Sequence, residues 1–296
     1  MNNLEITPPQ CIIDLEPGST PGDWHRHQNG GGWVFRQARV AETAFVGPHA
    51  AVGGSAEVLG NAKIFDRARV CGCATVSGGA KVFGGAVVCD LAAVAGRAEV
   101  LGNARVFGRA RVTGSAVICG SAEVFGRAEV FGRACVTDYA KVFGRARVGG
   151  NARIAVGAFV AGRARIAGTA EVSGDVWIAG QAQVLDNAWV GGNAVVNGSA
   201  QVFGCAKVHG NAVICGNARV CGAAEVLDSA KVCEDAVVAG SAEVCGRARV
   251  YGRAMIYGDA WIAGDARVGG NDRLCRRPLW PATHPSAGGL DRIEPA

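Results

Sequence analysis

The residues of this chain that could carry chemistry are five histidines, twelve cysteines and an arginine that recurs at a fixed interval. Histidine is the natural general base near neutral pH, and three histidines converging on one point would hold a metal. Only His49 and His209 lie in the regular part of the chain, far apart in sequence, and each reads alone as a solvated turn residue. No metal site is expected. Seven cysteines directly follow a valine or isoleucine: Cys71, Cys89, Cys119, Cys215, Cys221, Cys233 and Cys245. Two pairs, Cys71/Cys89 and Cys215/Cys233, are separated by eighteen residues, while no C-x-x-C pair supports a zinc site. Stacked cysteines could form a disulfide, and the plainer reading is a small apolar filler. Arg109, Arg127, Arg145 and Arg163 also recur every eighteen residues, the first three following Phe107, Phe125 and Phe143. Guanidinium forks in a row could grip a polyanion, with the phenylalanines stacking on bases or supporting the guanidinium planes. A merely solvated edge would look the same.

What positions these residues is a six-residue repeat. Every sixth residue from Val34 through Val268 is Val or Ile, and four residues after each stands alanine from Ala38 to Ala266, except at Val176. Alanine and the next aliphatic are two apart, so in a strand both point to one side and the residue between them points to the other. That outward residue is mostly Arg, Glu, Lys or Gln, as at Arg39, Glu57, Lys63 and Arg69. Two residues after each aliphatic comes usually Gly and sometimes Asp (Asp66, Asp90, Asp138, Asp186, Asp228), which suits a corner. Each hexad is therefore a short strand plus a turn, and three hexads close a triangular coil.

The predicted fold is all-β: a single-stranded parallel β-helix, or β-solenoid, of about 13 triangular coils of about 18 residues, roughly 60 Å long. Residues eighteen apart should then stack, giving columns of Phe107, Phe125 and Phe143, and of Phe65, Phe83 and Leu101. Opposite charges at that distance, as in Lys81/Glu99, Arg105/Glu123 and Arg111/Glu129, give modest further support. The solenoid covers residues 33–274. Residues 1–32 form an irregular N-terminal cap, with Ile12, Ile13 and Leu15 covering one end. Residues 275–296 form a C-terminal cap, with Leu279 and Trp280 folded over the other end, and a disordered tail.

The repeat resembles that of the hexapeptide-repeat superfamily, whose left-handed parallel β-helices alternate an aliphatic and a small residue inward. Here Gly falls one residue later than in the commonest form, a variant similar to phage-linked members and to members assigned as transferases. The resemblance implies left-handed winding, oligomers (commonly trimers) and, for its enzymes, acetyl-CoA-dependent acyl transfer. In such an enzyme His209 or His49 would be the general base, in a site between subunits. The unbroken repeat leaves no loop to build an acceptor pocket, and five histidines so dispersed do not fit the family's carbonic anhydrases.

Composition agrees with a thin core: glycine accounts for 45 residues and aromatics for 6%. No apolar run approaches the roughly 20 residues of a membrane span. MNNLEITPPQ has neither the basic start nor the apolar stretch of a secretory signal, so the expectation is a soluble cytoplasmic protein whose cysteines stay thiols. A net charge of +5 does not by itself imply nucleic acid. One apolar stripe stands out: Phe159, Trp177, Val195 and Val213 share the outward position at eighteen-residue intervals, where a contiguous patch marks an interface. The sequence therefore favours a non-catalytic structural or interaction protein without cofactor, self-associating through a flat face. Acyl transfer and polyanion binding are the alternatives.

Overall fold

In the computed structural model, which describes residues 7–276, short strands of mostly two residues follow one another with the six-residue period of the sequence. The chain divides into two units, the first ending at Val156 and the second beginning at Gly157. Within each unit, strands of successive coils pair in parallel to build three sheets. Each unit is a parallel β-solenoid with a coil of about eighteen residues, as the repeat predicts. In the first unit Glu99 pairs with Lys81 and with Val117. In the second, Val195 pairs with Trp177 and with Val213.

The inward pattern is obeyed strictly. Val106, Ala110, Val124 and Val142 in the first unit, and Ile178, Val196 and Ala212 in the second, are all 0% exposed. Burying each such valine contributes about 1.5–3 kcal/mol, repeated at every hexad, while the strand amides are satisfied by the next coil. Outward charges pair along the stack: Lys81 Nζ lies 2.7 Å from Glu99 Oε1, and Glu123 bridges Arg105 at 3.4 Å and Lys141 at 3.1 Å. Arg111 and Glu129 are in register, but Glu129 makes its ion pair with Arg147.

The corners show why the position after next is Gly or Asp. Gly102 has φ of 70°, and a Cβ there would lie 2.8 Å from the carbonyl oxygen of Gly120 in the next coil. Aspartate tolerates the same left-handed backbone and uses its side chain to accept an amide proton from the next coil. Gly108 N–H donates to Asp90 Oδ2 at 2.8 Å, and Gly246 N–H to Asp228 Oδ2 at 2.9 Å. Glu234 does the same for Gly252 at 2.8 Å. Val156 occupies such a corner at φ 61° with neither device, an unfavourable backbone for a β-branched residue. Val176, the one departure from inward alanine, is fully buried; the strand before it lengthens to Glu171–Gly174, and Gly174 swings to φ 111°.

At the start of the described chain, the helical turn Gln10–Ile13 places Ile12 and Leu15 on one side, three residues apart. Ile12 is buried against a cluster of Trp24, Trp33, Phe35 and Ala51, with Leu15 packed beside it. Ile13 is half-buried and is not part of that cluster. The strand Trp24–Arg26 runs antiparallel to Trp33–Phe35, an aromatic pairing the hexad pattern does not reach. Leu279, Trp280 and the tail lie outside the described residues.

Candidate functional site

In the first unit, the corner carrying Phe107, Phe125 and Phe143 stacks as the spacing predicts. Ring centroids are 4.8 and 4.9 Å apart with planes within 3° and 1° of parallel. Arg109, Arg127 and Arg145 follow on the same corner, exposed, and none makes an ion pair among the described residues. The nearby carboxylates of Glu123 and Glu129 are taken by Arg105, Lys141 and Arg147. The edge therefore holds unneutralised positive charge at intervals of about one strand spacing. The stacking also limits what the phenylalanines can do. Phe125 is stacked on both faces, and the Arg105 guanidinium sits 5.3 Å over Phe107, so no gap is open between the three rings for a base to insert. This edge suits the backbone of a polyanion rather than its bases. Arg163 belongs to the second unit, where Ala161 replaces the phenylalanine.

In the second unit, Phe159, Trp177, Val195 and Val213 lie in register on one face. Phe159 and Trp177 stack at 5.3 Å, and Trp177 remains 44% exposed. The stripe ends where Val213 pairs with Lys231. A large indole left in water on a rigid, flat strand face is an exposed apolar patch.

His49 is exposed at its corner. His209 is not the solvated turn residue its sequence suggests: its Nε2 lies 2.7 Å from Glu225 Oε1, and its ring packs 5.4 Å from Trp189. Trp189 in turn lies over Gly191, where a Cβ would come within 2.6 Å of the indole. These partners stand sixteen and twenty residues from His209, one coil away but offset by two positions, so a search at eighteen alone passes over them.

The cysteines go further than the filler reading, and not all of them stay thiols as the sequence leads one to expect. Cys215 and Cys233 are joined in a disulfide across adjacent coils, with Cα atoms 4.6 Å apart. The thiols of Cys71 and Cys89 contact each other. That contact pushes the Cys71 thiol well above the usual thiol range, with burial adding to it, and draws Cys89 below it. Among the described residues no three His, Cys, Asp or Glu side chains converge to hold a metal, and no helix is long and apolar enough to cross a membrane.

A family model described as "YdcK Beta solenoid repeat" matches residues 102–120 and 248–270, one stretch within each unit. The chain is a β-solenoid repeat protein. No curated protein matches it.

Proposed function

We propose that this protein is a non-catalytic structural or interaction solenoid, a rigid scaffold that self-associates through the face of Phe159, Trp177, Val195 and Val213. The observation that carries this reading is Trp177, 44% exposed in the middle of an apolar column whose backbone is fixed on both sides. Covering that column with a second copy removes apolar area from water at about 25 cal/mol per Å², and a pre-ordered surface loses little entropy on docking. The left-handed winding implied by the likeness to hexapeptide-repeat proteins, and a cytoplasmic location, belong to the same reading.

Two specific observations favour other readings. The His209–Glu225 hydrogen bond is the arrangement that orients a general base, and it supports an acetyl-CoA-dependent acyltransferase with its site between subunits. The unpaired row of Arg109, Arg127 and Arg145 supports polyanion binding along the first unit. Measuring the native mass by light scattering, with and without acetyl-CoA, separates them. A mass above that of one chain, unmoved by acetyl-CoA, is the expected result. A single-chain mass refutes self-association, and stabilisation by acetyl-CoA favours the enzyme.

A further inference from the structure

We propose that Cys71 and Cys89 are a thiol–disulfide centre, a redox latch that bridges adjacent coils of the first unit as Cys215–Cys233 bridges coils of the second. Both pairs occupy the same place in the coil: the first corner residue after the inward aliphatic of the same face. Their backbones are held alike. Cys71 N–H donates to Val88 O at 2.9 Å and Cys215 N–H to Val232 O at 2.9 Å, and the preceding strands are in register. Of the twelve cysteines only these four have another cysteine eighteen residues away. The corner that brings the bonded pair to a Cα separation of 4.6 Å is thus repeated at Cys71 and Cys89, within the range a disulfide spans. Both thiols are half-buried, and exposed Cys73 and Leu91 flank them, so a small reagent can reach the corner.

Either thiol can open the exchange as its thiolate, and the balance is the same from Cys89 or from Cys71. With a small-molecule disulfide such as oxidised glutathione as oxidant, Cys89 Sγ attacks one glutathione sulfur. The glutathione S–S bond breaks, one glutathione thiolate leaves, and a mixed disulfide forms on Cys89. Cys71, after losing its proton, attacks Cys89 Sγ and expels the second glutathione thiolate. Two electrons pass from the cysteines to glutathione, and the two thiol protons end on the two glutathione thiols.

The test is peptide mapping of the full chain equilibrated over a series of reduced and oxidised glutathione ratios and quenched with an alkylating reagent. The expected result is a Cys71–Cys89 linked peptide that grows with the oxidised fraction and disappears on reduction. In Cys71→Ser and in Cys89→Ser the glutathione adduct should persist on the remaining cysteine, because the resolving thiol is gone. Cys71 and Cys89 both alkylated in fully oxidised buffer, or each linked elsewhere, would overturn the proposal. The wild-type map decides this even if a serine variant fails to fold.

Discussion

The stretch from Arg105 to Arg147 and the stretch from Phe159 to Val213 are built from the same hexad and bury the same valines and alanines, yet their surfaces have opposite character. The first carries arginines without partners beside a closed phenylalanine column. The second carries an exposed tryptophan in an apolar stripe. Inward positions tolerate almost no variation because a coil has room only for an aliphatic and an alanine. Outward positions vary without disturbing the inward packing, so they are free to carry a function. The difference teaches that the lattice specifies the fold and stays silent about the role, which must be read from the decoration.

If the two stretches share one lattice, breaking it should cost the same in both. Val142→Asp in the first unit and Val196→Asp in the second each place an unpaired carboxylate where exposure is 0%. Each should lose several kcal/mol, read as a large fall in Tm by thermal denaturation. A variant that melts like the wild type would show that its side chain does not face inward. Corner acids should matter less and equally in the two units. Asp90→Ala and Asp228→Ala remove the acceptors for Gly108 and Gly246 while keeping a Cβ in a left-handed corner. Each is expected to cost about 2 kcal/mol, and the matching glycine variants about 1 kcal/mol, by denaturant unfolding. Equal losses for alanine and glycine would mean that the backbone conformation carries no penalty. The smallest effect has the opposite sign: Val156→Gly should stabilise by about 1 kcal/mol, because a β-branched residue leaves the left-handed region. A lower Tm would show that the Val156 side chain makes contacts worth more than its strain.

The strands, the coil length, the inward residues and the phenylalanine columns were all legible in the sequence, since a strict period transfers directly into register. Interactions that break the period were not. Glu225 and Trp189 reach His209 from offsets of sixteen and twenty, and their meeting depends on side-chain reach rather than backbone register. Ile12 and Trp24, which pack against Trp33 and Phe35, lie before the hexads, where no neighbouring coil dictates the partner. The cysteine pairs were intermediate: the spacing allowed a bridge, and only the corner geometry joined Cys215 to Cys233.

The contrast between the two surfaces is tested most directly by the native mass, from light scattering, of wild type, Trp177→Glu and Arg127→Glu at matched concentrations. The account predicts a wild-type mass that is a multiple of the chain, a Trp177→Glu variant reduced to one chain that still unfolds cooperatively, and an Arg127→Glu variant indistinguishable from wild type. A wild type that is already a single chain, or a Trp177→Glu variant that keeps the wild-type mass, would contradict it.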